Sequence, residues 1–501
     1  MRALGALDLD ATAQLAQLAS GRVSAVELLK ASLAQHERTH GALNAVVAVD
    51  LERALERARA MDELRSRGEA PGPLAGLPMT VKDTLDVAGM PASSGLAALR
   101  RRQSEDAVCV SHVRRAGAVI WGKTNVPVMA ADWQTSNGLY GVTRNPWDIE
   151  RTCGGSSGGA AAAVAAQVTP LEIGSDIGGS LRVPASFCGV FSHKPTWGLV
   201  TQHGHVPPSP GSWSERDLNV IGPMARSARD LRLLLSVMAV TPIAQTAPPA
   251  DLSQMRIGLW LDDPLLPLDA ESRAVLEGLA SRLEAAGATI EPIASPVAMG
   301  ELLGAYVLLL GSVLGADMPA RARRRARLAK PFLRLDQARG AGPFASSAMA
   351  LASVESHARW LEADAVRARL AHEMSVFFQS YNVILAPAAP TAAFPHDHRA
   401  FSRRRLNLGS AGRAPYSAMM GWIALASACR LPATVVPAGL TAHGLPVGAQ
   451  LIGAHGADAR TLDLAQAIDE QIQPFEPPPP VWISKGSQGN ALAPKSPRQA
   501  G

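Results

Sequence analysis

The chain has 501 residues, 47% of them hydrophobic, which is enough for a substantial core in one large α/β unit or in two or three average domains. Its net charge is +5, but only seven of its 48 basic residues are lysines. The dense arginine clusters lack the interleaved aromatic side chains that stack on bases, so the charge does not indicate a nucleic-acid partner.

The cysteines and the N-terminus indicate the compartment. Four cysteines lie far apart without a CxxC pair, which argues against a disulfide framework and a thiolate zinc site. Asp8 and Asp10 fall where a secretory signal would be apolar, and no uncharged apolar run of about 18 residues follows. We therefore expect a cytoplasmic protein without a membrane partner.

The first segment, residues 1–70, is predicted to be helical and to pack on the core. Apolar residues recur at helical spacing between residues 10 and 38, which indicates two helices. Ser24 and Glu27 form a capping-box pattern just before an apolar pair, which is typical of a helix start.

Strands and helices alternate through the second segment, residues 71–473. Residues 77–81 and 118–121 have strand patterns, and residues 107–115 between them have a helical one. This alternation predicts an α/β domain with a largely buried sheet. Further strands are expected at residues 171–173, 383–386, 433–436 and 447–452, with a helix from residue 158 and a strand–helix–strand unit over residues 256–293.

Two regions depart from this pattern. Residues of about 295–380 are helical and the least patterned, which makes them a candidate lid or substrate-facing insertion. Residues 474–501 contain the proline run 477–480 and a polar Gly/Ser/Lys stretch, which predicts a disordered tail.

Two serines are embedded in glycine. Ser156 lies in Cys-Gly-Gly-Ser-Ser-Gly-Gly (153–159), and Ser180 lies in Gly-Ser-Asp-Ile-Gly-Gly-Ser-Leu-Arg (174–182). A serine hydroxyl is a weak nucleophile, so hydrolysis needs a nearby base and donors for the developing oxyanion. Neither segment contains a histidine. Gly178 and Gly179 offer unhindered backbone N–H groups, although a tight turn has the same pattern.

Lys82 is the candidate base. It stands at the end of the predicted strand 77–81 and directly before Asp83. Lysine is rarely buried without a reason, and desolvation there would lower its pKa toward the working pH and leave a neutral amine that accepts a proton. For this residue alone, a strand-end lysine paired with Asp83 is the simpler interpretation.

Together these three segments resemble the amidase signature family, the Ser–Ser–Lys amidohydrolases. The long glycine–serine signature carries most of the likeness, and the strand Leu-Pro-Met-Thr-Val-Lys-Asp (77–83) precedes it. The resemblance spans most of the chain and extends to residues 122–125, 145–147, 188–198, 431–439 and 444–452.

The resemblance implies a fold and a division of roles. The fold is a single α/β/α domain around a mixed, mostly parallel twisted sheet. Ser180 is the implied acyl nucleophile. Ser156, joined to Gly155 by a cis peptide bond, is the implied proton relay, and neutral Lys82 is the implied base.

The same resemblance implies an oxyanion hole made by backbone N–H groups of Ile177, Gly178 and Gly179. Ser157 is expected to help hold Lys82 and to lie by the substrate, and Asp176 with Arg182 is expected to brace the loop. The implied reaction is hydrolysis of a linear amide through an acyl-enzyme, and it requires neither a metal nor an organic cofactor.

Substrate preference is predicted from Met129, Ala130 and Ala131. In many relatives a glutamate follows the proline of the Thr-Asn-x-Pro segment, whereas this chain has valine there. Small apolar residues predict an open hydrophobic acyl pocket for aryl or alkyl amides, with esters and carbamates as further substrates. Trp133 and Trp213 are candidate pocket walls or ordinary core or loop aromatics. A homodimer is left open.

Two alternatives compete with this interpretation. Residues 117–124 match a Walker-type nucleotide pattern, but the predicted strand lies inside the match and Pro127 follows closely, where a helix is needed. The second alternative is an amidotransferase component, which uses the same serine chemistry to release ammonia from glutamine for a partner enzyme that acts on charged tRNA. The apolar residues 128–129 weigh against it.

Overall fold

A mixed eleven-stranded sheet forms the centre of the protein, described here for residues 5–69, 72–207 and 210–480 of a computed structural model. Two short antiparallel pairs lie outside it, β4 (Ser136–Asn137) with β5 (Gly141–Val142) and β12 (Arg405–Asn407) with β13 (Arg413–Pro415). In spatial order the strands of the large sheet are β1 (Val46–Val49), β3 (Val119–Thr124), β2 (Pro78–Lys82), β6 (Leu171–Asp176), β8 (Val220–Ala225), β7 (Phe191–Lys194), β14 (Ala433–Leu440), β15 (Pro446–Ile452), β11 (Val383–Pro387), β9 (Arg256–Leu259) and β10 (Thr289–Pro292).

The sheet is mixed, as predicted, but the expectation that it is mostly parallel is wrong. Among the described strands, β2 runs parallel to β3 and β6, and β9 runs parallel to β10 and β11. The remaining six neighbouring pairs are antiparallel. The two parallel groups are joined through antiparallel strands such as β14 and β15, which a short connection suffices to link.

Helices accompany this sheet in one α/β unit, and those over residues 299–377 pack mainly on one another. The helices are α1 (Ala11–Ala19), α2 (Ala25–Leu43), α3 (Leu51–Ser66), α4 (Val108–Arg115), α5 (Gly158–Ala165), α6 (Arg182–Cys188), α7 (Ala228–Met238), α8 (Ala270–Ala285), α9 (Met299–Ala316), α10 (Ala320–Ala338), α11 (Ser346–Ala352), α12 (His357–Phe377), α13 (Ala424–Ala428) and α14 (Asp458–Gln471).

The N-terminal segment contains the predicted helices and one strand that the pattern missed. Ser24 caps α2, and both hydrogen bonds of the capping box with Glu27 are present. The missed strand, β1, pairs antiparallel with β3 at the edge of the large sheet. Its four residues are too few to show a strand period, so the segment was predicted as helix alone.

The later elements match the predictions unevenly. The strand–helix–strand unit is confirmed as β9, α8 and β10, and the two strands are parallel. The adjoining strands β7 and β8 were missed. β8 contains Gly222 and Pro223, which argue against a central strand, and β7 contains the buried polar residues His193 and Lys194.

The region 295–380 is helical, as predicted, and consists of α9 to α12. Among the described residues, α9 is the one helix long and apolar enough to cross a membrane by length and composition, and 56% of it is buried inside the protein. It packs against α11, α12 and α13. The region therefore lies on the core as part of the domain.

The predicted disordered tail lies mostly outside the described residues. Residues 474–480 form neither helix nor strand, and residues 481–501 are outside the described range.

Candidate active site

The site lies where the carboxyl ends of parallel strands meet. β2 ends at Lys82 and β6 ends at Asp176, with Val81 paired to Ile173. Neighbouring parallel strands end at the same edge of a sheet, and ligands of α/β proteins bind there. The loop from β6 into α6 carries Ser180 to this edge.

Three oxygen atoms surround the side-chain nitrogen of Lys82. Nζ lies 2.9 Å from Ser156 Oγ, 2.9 Å from Ser175 Oγ and 3.3 Å from the Ser175 carbonyl oxygen. The Lys82 side chain is fully buried. The structure therefore brings the predicted base into direct contact with the first predicted serine.

Burial decides the protonation of Lys82. Desolvation lowers its pKa to about 7, and the nearby carboxyls of Asp176 and Glu172 oppose that shift in part. Its amine is therefore partly neutral near neutral pH. The simpler pairing with Asp83 is not present, because the Asp83 carboxylate accepts from the backbone N–H of Ser93 and lies 3.6 Å from Lys123 Nζ.

The loop of Ser156 is packed against that of Ser180. The Gly155–Ser156 bond is cis, as the family likeness implied. A Cβ on Gly155 would lie 2.5 Å from the Asp132 carbonyl oxygen, so only glycine fits there. The Ser157 N–H donates to the Ser180 carbonyl at 3.1 Å and ties the two loops together.

Ser157 lies behind the site. Its side chain is fully buried, and its hydroxyl donates to the Ser175 carbonyl oxygen at 3.3 Å. This placement contradicts the predicted contacts with Lys82 and with substrate, and the contact to Lys82 belongs to Ser175. The parallel register of β2 and β6, with Val81 opposite Ile173, is the signal that could have found Ser175.

The backbone N–H groups predicted for the oxyanion hole differ in their hydrogen bonds. The Gly179 N–H donates to Asp176 Oδ1 at 2.8 Å, so it is already occupied. The N–H groups of Ile177, Gly178 and Ser180 have no hydrogen-bond partner within the described ranges. These three are the remaining candidate donors.

Two side chains orient this backbone, and the sequence predicted that role for neither. Tyr306 of α9 donates to the Ile177 carbonyl at 3.1 Å, and Trp133 donates to the Gly178 carbonyl at 2.7 Å. A trans peptide points its N–H opposite to its carbonyl, so the Tyr306 bond fixes the direction of the Gly178 N–H. The helical region 295–380 thus contributes directly to the site.

The ion pair of Asp176 and Arg182 closes the nucleophile loop, in the bracing role predicted for it. Both side chains are buried, and the guanidinium donates to both Asp176 oxygens at 3.1 Å. The same carboxylate accepts from the Leu181 N–H at 3.1 Å. Although burial alone would raise the pKa of Asp176, Arg182 holds it at about 2.

We expect Arg182→Met to destabilise the fold by roughly 3–5 kcal/mol, because it leaves a buried carboxylate unpaired. The Asp176 pKa lies below its ordinary value of 3.8, so its contribution is present above that pH and is lost as pH falls toward 2. Urea unfolding between pH 3 and 7 measures both effects. An unfolding free energy equal to that of the wild type at pH 7 would contradict the bracing role.

Two cavities meet at Ser180. The larger is about 670 Å³, and Ala130, Ala131 and Trp133 contribute to its wall. The smaller is about 40 Å³, and Met129 and Ser156 line it together with Ser180. The structure thus places the predicted residues 129–131 in the cavity walls.

The two candidate tryptophans have different places. Trp133 is a wall residue and also holds the Gly178 carbonyl. Trp213 is 82% exposed and stacks on His203, outside both cavity walls.

The structure does not support the nucleotide-binding alternative. Lys123, the lysine of the Walker-type pattern, lies fully buried within β3 and donates to the Leu85 carbonyl oxygen at 2.6 Å.

A buried lysine in contact with one serine, and a second serine beside free backbone N–H groups, define a hydrolase site that needs no imidazole base. The chain belongs to the amidase family, whose model matches residues 27–462. It is an amidase-signature hydrolase of carbon–nitrogen bonds, and a large mixed α/β fold is common to the solved structures it resembles.

Curated relatives of the chain include amidotransferase components. The chain is 32% identical over 490 residues to the A subunit of glutamyl-tRNA(Gln) amidotransferase from Thermobifida fusca, covering 91% of this chain and 94% of that protein. It is 35% identical over 493 residues to the same component from Cupriavidus necator, covering 90% and 94%. The solved peptide amidase of Stenotrophomonas maltophilia is 27% identical, with a TM-score of 0.73 over 94% of this chain and 98% of that one.

Proposed function

We propose that this protein hydrolyses amides that combine a bulky apolar acyl group with a small leaving group, through an acyl-enzyme on Ser180. The observation that carries the proposal is the unequal size of the two cavities that Ser180 lines, about 670 Å³ and about 40 Å³.

Lys82, Ser156 and Ser180 supply the proton transfers of this reaction. Neutral Lys82 accepts the proton of Ser156, Ser156 accepts that of Ser180, and Ser180 Oγ attacks the amide carbon. No hydrogen bond joins the two serine hydroxyls in the described part of the chain, so Ser180 must rotate toward Ser156 as substrate binds. The relay then returns a proton to the leaving nitrogen, and water repeats the attack on the acyl-enzyme.

Backbone N–H groups stabilise the negative charge that develops on the carbonyl oxygen. The candidate donors belong to Ile177, Gly178 and Ser180, and the hydrogen bonds of Tyr306 and Trp133 hold the backbone carbonyls beside them. Such preorganised donors are worth several kcal/mol in a transition state, about 10²–10³ in rate for one donor. Acyl transfer by this site therefore needs no metal or organic cofactor.

The acyl group is assigned to the larger cavity because its wall is mainly apolar. Aromatic and aliphatic side chains from the region 295–380 and from the segment 401–420 form most of it. They are Leu310, Leu314, Met318, Phe344, Met349, Phe401, Tyr416 and Met420. This lining favours aryl and alkyl acyl groups, and the same acyl transfer extends to esters and carbamates.

The leaving group is assigned to the smaller cavity because Ser156, which returns the proton, lies there. A space of about 40 Å³ is roughly three to four times what one water molecule needs, so it suits a small leaving group. Ammonia fits this limit, so a primary amide is the favoured substrate.

Glutamine hydrolysis for a partner enzyme is the second candidate, and the amidotransferase relatives favour it. Glutamine is also a primary amide, but its acyl part carries an ammonium and a carboxylate. The wall of the large cavity contains an ion pair of Arg404 Nη1 and Asp132 Oδ2 at 2.6 Å, and also Arg405, whose guanidinium donates to the Ser402 and Arg404 carbonyl oxygens. Asp132 is already neutralised by Arg404, and no other carboxylate lines the described wall to pair with the glutamine ammonium, which weighs against this candidate.

A substrate panel separates these possibilities. For the purified full chain we expect hexanamide and phenylacetamide to exceed acetamide, glutamine and N-butylhexanamide in kcat/KM by at least about tenfold, the order that one well-filled apolar site commonly gives. Equal rates for hexanamide and its N-butyl derivative would overturn the leaving-group assignment. Glutamine as the best substrate would favour the second candidate.

Ala131→Trp tests the acyl assignment. Ala131 is exposed at the wall of the large cavity, so an indole there takes up acyl space without entering the core. We expect kcat/KM for hexanamide to fall about tenfold and that for acetamide to change less than twofold. An equal loss for both amides would contradict the assignment, and acetamide serves as the internal control for folding.

A further inference from the structure

A buried histidine outside both serine loops contacts the residue that holds Lys82. His205 Nε2 lies 2.9 Å from Ser175 Oγ, and His205 Nδ1 lies 2.6 Å from the Pro207 carbonyl oxygen. The imidazole lines the small cavity together with Ser156, Ser175 and Ser180. The Ser175 hydroxyl therefore contacts both His205 and Lys82, so His205 can influence the proposed base through that one hydroxyl.

The Pro207 carbonyl fixes the tautomer of His205. A carbonyl oxygen can only accept, so Nδ1 carries the proton. Burial, with a smaller effect of Lys82, lowers the pKa of His205 to about 4, so the ring is neutral near pH 7. Nε2 is therefore an acceptor, and the Ser175 hydroxyl donates to it.

This single donation determines how Ser175 meets Lys82. A serine hydroxyl has one hydrogen, and here it points at His205. Ser175 Oγ can therefore only accept from Lys82 Nζ, at 2.9 Å, and the Ser175 carbonyl oxygen accepts at 3.3 Å.

The lone pair of the Lys82 amine is directed at Ser156. A neutral amine has two hydrogens and one lone pair, and the two acceptors of Ser175 take both hydrogens. The third neighbour, Ser156 Oγ at 2.9 Å, faces the lone pair. The arrangement thus prepares Lys82 to take the Ser156 proton.

We propose that His205 is a positioning residue that acts through Ser175 to aim the lone pair of Lys82 at Ser156. This inference rests on the proposed function, in which Lys82 is the base. His205 touches no reacting atom itself. Because His205 accepts the hydrogen bond of the Ser175 hydroxyl, that hydroxyl cannot donate to the lone pair of the Lys82 amine.

Loss of the imidazole has a defined consequence. With phenylalanine at 205, the Ser175 hydroxyl loses its acceptor and turns toward the Lys82 lone pair. That hydrogen bond stabilises the neutral amine, so the pKa of Lys82 falls while its basic electrons point away from Ser156. The charged groups that also face this region, Asp176 and Glu172 beside Lys82 and the Arg216–Asp317 ion pair at the small cavity, are unchanged by the substitution.

The test measures Ser180 reactivity without a substrate. Phenylmethylsulfonyl fluoride reacts with an activated serine: the Ser180 Oγ–S bond forms, the S–F bond breaks, fluoride leaves, and the serine proton passes to the relay. The rate of adduct formation is followed by intact mass from pH 5 to 9 in wild type, His205→Phe, Ser175→Ala and the double variant. His205→Gln is the rescue variant, because its amide can accept from Ser175 and donate to Pro207.

We expect His205→Phe to slow the reaction about tenfold, a fraction of what a general base contributes, and to move its acid limb to lower pH. In the Ser175→Ala background the same substitution should change the rate less than twofold, because the two residues act as one unit. His205→Gln should recover at least half of the wild-type rate. His203→Phe keeps the stacking position on Trp213, makes no side-chain contact to Ser175, and should match wild type.

The outcomes distinguish this inference from the proposed function. Equal losses from His205→Phe in both backgrounds, or an unmoved acid limb, overturn the positioning role while the function stands. Failure of the wild-type protein to form an adduct on Ser180 overturns the function and this inference with it.

Discussion

Ser180→Ala should lower kcat/KM for hexanamide by about six orders of magnitude, the scale on which loss of the nucleophile acts in serine hydrolases. The hydroxyl is the only group of Ser180 that the variant removes, and the backbone N–H that serves as a candidate oxyanion donor remains. Steady-state kinetics with a sensitive ammonia assay measures the loss. Retention of more than about a hundredth of the wild-type kcat/KM would contradict the nucleophile role.

Ser186→Ala is the matched control for that variant. Ser186 is a buried serine of α6, and its hydroxyl accepts from the Gly448 N–H at 2.8 Å. It lines neither cavity. We expect a lower melting temperature from the lost buried hydrogen bond, with kcat/KM within about threefold of wild type.

Lys82→Met should lower kcat for the same amide by about 10⁴, because it removes the base and keeps the side-chain volume. The wild-type kcat/KM should rise with pH through about 7, where Lys82 loses its proton, and the residual activity of the variant should lack this rise. A pH profile of both proteins measures the difference. An unchanged acid limb in Lys82→Met would assign the limb to another group.

The matched control for Lys82→Met is Lys194→Met. Burial lowers the pKa of Lys194 to about 7 as well, but its Nζ donates to the Pro195 carbonyl at 2.8 Å and contacts neither serine. We expect Lys194→Met to keep kcat within about threefold. An equal loss in both variants would show that burial of a lysine, and not its contact with Ser156, underlies the effect.

Stability adds a second readout for Lys82. Its pKa is about 7 in the folded protein and 10.5 without burial, so the unfolded chain binds more protons between those values. The contribution of Lys82 to the free energy of unfolding therefore rises with pH between about 7 and 10.5 and is lowest below pH 7. Lys82→Met should remove this slope, and denaturant titrations at pH 6 and 9 measure it.

The sequence predicted candidate catalytic groups but not the network that holds them. The likeness of the glycine–serine loops located Lys82, Ser156 and Ser180, and the structure brings them to one edge of the sheet. The small number of lysines and the expected burial of Lys82 would not have been enough to identify it as the candidate base. Lys123 and Lys194 are buried too, and only the three-dimensional contact with Ser156 distinguishes Lys82.

The misses share a physical cause. Ser157 and Ser175 are both close to Lys82 in the folded protein, and which hydroxyl reaches the amine depends on strand register and loop geometry. Gly179 was predicted to be an oxyanion donor, but its N–H donates to the Asp176 carboxylate instead. His205 comes from a loop far along the chain, where no local pattern indicates a contact with the site.

Strand direction was the main error in the fold. Alternating strands and helices favour parallel pairs, and β9, α8 and β10 follow that rule. β7 and β8 contain glycine, proline and buried polar residues, so neither the strands nor their antiparallel pairing could be predicted from periodicity.

The most direct measurement of the central claim is the site of the acyl-enzyme. An activated ester such as p-nitrophenyl hexanoate, quenched within the first turnover, should leave one hexanoyl group on the protein. Trypsin releases Ser156 and Ser180 on the same peptide, residues 152–182, so fragment-ion spectra must locate the group. We predict hexanoyl on Ser180 and none in Ser180→Ala, whereas hexanoyl on Ser156, or an unmodified peptide during turnover, would contradict the account.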